Sequence, residues 1–298
     1  RIVINRNAVL LFTLFIFYIL KVIYSANLIN INLYLNWYEY ILYFIIYCIT
    51  TFLFFSNIDV KEKLGTIVST ILFSGFILSI VTIFLFKDYL GSGVGRISMI
   101  SYDTEFGLDK SQIISPLALA YAAALNLSLL IPYYRYFSNK SKMSKAYLLL
   151  NGILSLVIFS LGSTRGALVA LILSILYYLM ITKGARIRNF IIIAIATPIF
   201  LFVLELTGSN LMQRTSSAIE SGDSSGRDTL WSDAINEFVN NPFFGGSIEV
   251  SGFYPHNIFL EVAMGMGIIG IILFLTILIR SIRRVNIMPR QYSTFIII

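Results

Sequence analysis

An all-α, polytopic membrane protein is the fold class this sequence predicts, on three observations. Hydrophobic residues make up 57% of the chain and charged residues 12%, where a soluble domain carries roughly a quarter charged. Apolar runs of about 18 residues or more recur, each long enough to cross a ~30 Å hydrocarbon core as a helix. Short segments of alternating apolar and polar residues, which a transmembrane β-barrel needs, do not occur.

Eight spans follow in order, at approximately 8–26, 38–56, 65–86, 113–134, 146–163, 165–182, 189–207 and 257–279. Their orientation comes from Lys and Arg, which accumulate in cytoplasmic loops. One set of alternating connections holds 15 of the 22 basic residues, among them Lys61, Arg135, Lys140, Arg186 and Arg283. The remaining seven are Lys21, Lys87, Arg96, Lys110, Arg165, Arg214 and Arg227. The first set is cytoplasmic. Lys21 lies near the outer end of the first span, close enough to the surface to snorkel. The net charge of +7 then faces anionic lipid headgroups and needs no nucleic acid as partner. Residue 1 is Arg, and the chain stops inside a fresh apolar run, "QYSTFIII". A single helical membrane domain over 1–298, as a piece of a longer protein, is the expectation. The lone cysteine, Cys48, allows no intrachain disulfide.

Two outer loops emerge, at 87–112 and 208–256, and loops of that length are commonly functional. In "SSGRDTLWSDAINEFVNNPFFGG" the residues Leu230, Trp231, Ala234, Ile235, Phe238 and Val239 form one face of a helix. Ser225 can cap it, with Asp228 three residues on, and Asn241-Pro242 ends it. This amphipathic helix is expected to lie across the outer mouth of the bundle.

Five groups on that face could carry chemistry. Arg165, in "SLGSTRGALVAL", is either a snorkelling interfacial arginine or, with the helix N-terminus behind it, half of an anion site suited to phosphate. Arg227 opens the loop helix, where the macrodipole disfavours a cation. It is either paired with Asp223 or Asp228 or directed at an anion. Arg214 and, in the other loop, Arg96 stand a level below. His256, the only histidine in the chain, is a structural hydrogen-bonder or a base, its imidazole being the side chain best matched to proton transfer at neutral pH. Glu261 is expected to face away from it. One His and one Cys exclude a His/Cys metal site, while a carboxylate-only Mg²⁺ site from Asp223, Asp228 or Asp233 has no distinctive spacing.

The string Gly265-x-Gly267-x-x-Gly270 imitates a dinucleotide fingerprint, but that motif needs a preceding strand. Inside a membrane span, small residues let backbones approach closely. Gly267 follows His256 by almost three turns, which places both on one face of an uninterrupted helix.

His256-Asn257, nine residues, then Gly267-Ile268-Ile269-Gly270 resembles a signature of the O-antigen ligase / O-antigen polymerase superfamily. "GSTRGALVAL" resembles its Ser-x-Arg-Gly element. The outer-loop helix resembles its Arg-x3-Leu element, with Trp231 standing where leucine is usual. The resemblance covers about 90–285 and implies a metal- and cofactor-independent transferase of the bacterial inner membrane, active on the periplasmic or extracellular face. Its donor would be an undecaprenyl-pyrophosphate-linked glycan and its acceptor a glycan or lipid A-core hydroxyl. His256 would be the general base, Arg165 and Arg227 catalytic, and Arg214, Arg96 and Asn257 substrate-binding. Gly265, Gly267 and Gly270 would serve helix packing. Ligase and polymerase remain equally open, apart from a slight lean of composition to polymerase. The alternative, a transporter or flippase of the same lipid-linked substrate, calls for ionisable residues and broken helices near the midplane. A purely structural scaffold would not need the arginine–histidine set.

Overall fold

The computed structural model describes residues 6–27, 33–56, 58–87, 115–138, 141–181, 197–220, 227–250, 253–287 and 294–295. They are helical almost throughout; among them β pairing is limited to one isolated bridge, Val250 with Phe253. Six helices are long and apolar enough to cross a membrane: Asn7–Asn27, Trp37–Phe54, Val60–Leu85, Pro116–Tyr136, Lys142–Gly162 and Ile258–Arg284. The chain is an all-α polytopic membrane protein. The expected spans 165–182 and 189–207 appear as shorter apolar helices, with 182–196 outside the described residues. Arg96, Asp223 and Ser225 also lie outside them.

In chain order the helices are α1 (Arg6–Asn27), α2 (Trp37–Tyr43), a π-helical stretch (Phe44–Ile49), α3 (Thr50–Ser56), α4 (Val60–Leu85), α5 (Pro116–Tyr136), α6 (Lys142–Gly162) and α7 (Arg165–Ile181). They continue with α8 (Thr197–Leu206), α9 (Leu211–Glu220), α10 (Arg227–Asn240) and α11 (Ile258–Ile287). They group into two units: Arg1–Val60 with Asp223–Ile287, and Lys61–Gly222 with Met288–Ile298.

In the second unit α5 packs along α6 and α7. Ala120, Ala123 and Ala124 on α5 are buried, and their small side chains let the helix axes close up where lipid supplies no hydrophobic drive. Phe159, Ile158 and Leu171 fill the core beside them. At mid-helix, Asn126 Nδ2 donates to Asn151 Oδ1 and Ser155 Oγ (both 2.7 Å), and Asn151 Nδ2 donates to the Leu72 carbonyl (3.0 Å). Gly75 makes room for this pin, since a Cβ there would stand 2.7 Å from Asn126 Cγ. Buried amides thus tie α4, α5 and α6 together, each bond contributing about 0.6–2 kcal/mol in a bilayer.

The first unit is built on α11, against which α1 and α10 pack. α11 is not the uninterrupted helix expected from its sequence. It breaks at Gly267 (φ 63°, ψ −159°), in a region of backbone space that essentially only glycine enters. The three-turn spacing from His256 therefore does not define a common face. The break leaves backbone groups without helical partners, and the segment after α10 supplies them. Ile268 N–H donates to Pro242 O (2.8 Å), Ile269 N–H to Phe243 O (3.4 Å), and Gly246 N–H to Met264 O (2.8 Å). Two glycines make this possible. A Cβ on Gly267 would lie 2.5 Å from Phe243 O, and one on Gly245 (φ 72°) 2.3 Å from Met266 N. Gly265 meets Ile248 at ordinary contact distance, whereas Gly270 faces Met266 of its own kinked helix. The close approach at Gly267 is thus to a loop backbone rather than to another helix.

This docking also decides where α10 runs. Its start is tied at Pro255, where Trp231 Nε1 donates to the carbonyl (2.7 Å), and the turn beyond its end meets α11 at Met264–Ile269. α10 therefore descends beside the first half of α11, over roughly 14 Å at 1.5 Å per residue. Of the expected apolar face, Ala234 is buried against α11, Leu230 and Phe238 are half-buried, and Ile235 and Val239 are exposed.

Candidate functional site

Two corners carry the candidate residues, one in each unit. The first joins α6 to α7. α6 ends on Ser163, which adopts a left-handed conformation (φ 42°, ψ 49°), at a cost of about 1–3 kcal/mol for a non-glycine residue. Gly162 permits the corner because its Cα lies against α5, where a Cβ would come within 2.7 Å of Ala120 Cβ. Thr164 Oγ1 donates to Gly162 O (3.0 Å), and Ser163 Oγ to Ser160 O (2.9 Å). Ser209 joins from the next connection, sharing a 2.6 Å hydrogen bond with Ser163 Oγ and donating to Ser160 O. α7 then begins at Arg165, and Gly166 leaves space for the Tyr121 hydroxyl.

Arg165 and Arg214 meet here. Arg165 Nη1 donates to the Arg214 carbonyl (3.2 Å), and Arg214 Nη1 donates to the Ser163 carbonyl (2.5 Å). Both side chains are half-buried. Arg165 thus reaches across to α9 and Arg214 reaches back to the α6–α7 turn, so the two side chains cross between these elements. Guanidinium forks so placed suit an anion with several oxygens, phosphate or pyrophosphate above all. Arg214 belongs to α9, a ten-residue helix inside the long loop 208–256 that escaped the sequence reading. Its strong amphipathic pattern over "LMQRTSSAIE" was the available signal.

The second corner precedes α11. His256 has φ 53°, a left-handed backbone that histidine enters more readily than most residues but still at a cost. Asn257 follows as N-cap, its Oδ1 accepting from Phe259 N–H (3.1 Å) and Leu260 N–H (3.5 Å). The side-chain oxygen of Asn257 is therefore committed to the helix, which leaves any substrate contact to its Nδ2. His256 itself is exposed, with its ring edge-to-face against Tyr254 at 6.2 Å. Glu261 lies within electrostatic reach of the imidazole. Burial pushes the Tyr254 hydroxyl up from its ordinary pKa, so it stays a neutral donor at physiological pH.

Behind this corner lies a polar scaffold with no local sequence signal. Glu249 is 1% exposed and accepts from Tyr34 N–H (2.7 Å) and from the Tyr40 hydroxyl. Glu237 accepts from Ser247 N–H (2.9 Å). Lys21 is 7% exposed and donates to the Gly245 carbonyl (2.8 Å). The expected snorkelling of Lys21 is thus replaced by a buried latch on the docked segment, because the Gly245 carbonyl offers its ammonium a partner inside. Arg227 stands exposed at the first position of α10; among the described residues no ion pair joins it to Asp228.

A family model described as O-Antigen ligase matches residues 150–275. Comparison with curated proteins and with solved structures returned no match. The matched stretch contains Arg165, Arg214, Arg227 and His256 and ends beyond the break at Gly267. Over residues 150–275 the chain is thus similar to the O-antigen ligase family.

Proposed function

We propose that the chain transfers an oligo- or polysaccharide from an undecaprenyl-pyrophosphate carrier to an acceptor hydroxyl, at the periplasmic or extracellular face of the bacterial inner membrane. The family supports glycan transfer of the ligase or polymerase type; carrier, acceptor and side of the membrane are the proposal. The observation that carries it is the Arg165–Arg214 corner, where two half-buried arginines cross between the α6–α7 turn and α9. A pyrophosphate leaving group gains negative charge as the glycosidic bond breaks, and fixed cations stabilise that charge most in the transition state. Arg227, exposed at the head of α10, and Arg96 are proposed to contact the carrier as well, as the family resemblance implies. His256 accepts the proton of the acceptor hydroxyl as that oxygen attacks the anomeric carbon. With cations and an imidazole supplying charge and base, the reaction runs without a metal ion.

A flippase reading has one observation in its favour, the broken helix at Gly267. In transporters such breaks present backbone groups to an ion or substrate. Here Pro242 O, Phe243 O and Gly246 N–H occupy those groups, and Lys21 is engaged by Gly245 O. The break is closed by the protein itself, which favours a positioning role.

The test is transfer by the full protein in proteoliposomes, with lipid-linked donor and acceptor and with EDTA present. Arg165→Lys keeps the charge but loses the fork, and should lower the rate roughly 100-fold. Unchanged rate and donor affinity in that variant would remove the pyrophosphate assignment. Loss of wild-type transfer on chelation would remove the metal-free one.

A further inference from the structure

The Pro255–His256 peptide is held at its carbonyl, on buried Pro255, which accepts from Trp231 Nε1 at 2.7 Å. The φ angle of His256 is the rotation between this peptide plane and the chain beyond, and that chain is fixed by the Asn257 cap on the next helix, so holding the plane as well sets the direction in which the imidazole leaves the backbone. The value, 53°, is one that a non-glycine residue holds only when its surroundings impose it. Trp231 is itself fixed. Buried Ala234, one turn further along α10, packs that helix on α11, and the docked turn Pro242–Gly246 anchors the far end.

We infer that Trp231 is a positioning residue, whose indole N–H sets the left-handed backbone of His256 and with it the placement of the imidazole. The indole donates through a group that carries no charge and does not titrate, so the hold on the corner is independent of pH. The structural part of the inference stands on geometry; only its kinetic consequence rests on reading His256 as the base.

The two parts separate in one experiment. The full protein, purified without a histidine tag and labelled with ¹³C,¹⁵N-histidine, gives a ring resonance for His256, assigned by its absence in His256→Ala. Trp231→Phe keeps an aromatic ring and loses the donor. It should shift and broaden that resonance and lower kcat about 10-fold or more, with the donor KM within about twofold. Replacing Trp231 by benzothienylalanine, which substitutes sulfur for the N–H at constant shape, should do the same if the phenylalanine variant folds poorly. Ile235→Ala, exposed on the same helix, should leave the resonance in place. An unchanged His256 resonance in both Trp231 variants overturns the inference. A shifted resonance with unchanged transfer supports the clamp and overturns the role of His256 as base.

Discussion

Ser163 and His256 are the two non-glycine residues with positive φ among those described, and they stand in equivalent places. Each lies two residues ahead of a helix, α7 at Arg165 and α11 at Ile258. Each is followed by a small polar residue, Thr164 or Asn257, that turns the chain into that helix. What holds them differs. Around Ser163 the partners are Ser160, Gly162, Ser209 and Arg214, hydroxyls and carbonyls of one corner and the next connection. Around His256 the supports arrive from afar: the Trp231 indole, the turn docked into the break at Gly267, and Lys21, 224 positions from the Gly245 carbonyl that it holds. The arginine corner is self-contained, whereas the histidine corner is a product of tertiary docking. Changes far from the chemistry should therefore damage the second and spare the first.

Gly267→Ala should break the comparison most severely. It forces a side chain into a glycine-only backbone state and against Phe243 O, at a combined cost of at least ~2 kcal/mol. Loss of thermal stability in detergent, together with loss of the His256 environment, is the expected readout. A variant as stable as the wild type would mean that the docked turn does not close the break. Lys21→Met comes next. It leaves the Gly245 carbonyl without its donor and should destabilise the protein by about 1–3 kcal/mol; a snorkelling lysine at that place would be replaced with no measurable effect. Asn257→Ala should cost about 1 kcal/mol through the lost cap and change transfer little beyond that. A large drop in donor or acceptor affinity in this variant would assign the residue to substrate instead.

How far the sequence carried the reading follows the same division. Hydropathy located the membrane helices because apolar length is a local property, and α10 was legible from its 3.6-residue period. The Gly162–Gly166 corner was legible too, since its residues are neighbours in the chain. The break at Gly267 was not. Glycine is compatible with a packing notch and with a broken helix alike, and what separates them is a loop that begins 25 residues earlier at Pro242. Lys21 was assigned to the surface because a lysine in a span has two exits, snorkelling or a buried acceptor, and the acceptor lies at the other end of the chain. Helical spacing counted from His256 does not carry across a left-handed residue, so it does not define which way Glu261 faces. Arg214 gained its place from α9, whose ten residues are too short to stand out beside the spans.

His256→Ala tests the central claim most directly, measured as single-turnover glycan transfer from a lipid-linked donor in proteoliposomes, with donor binding followed in parallel. If His256 is the base, the rate falls about 10²–10⁴-fold while donor affinity and thermal stability stay near wild type. Transfer within a few-fold of wild type would contradict it, and the histidine would then be a structural element of the corner it occupies.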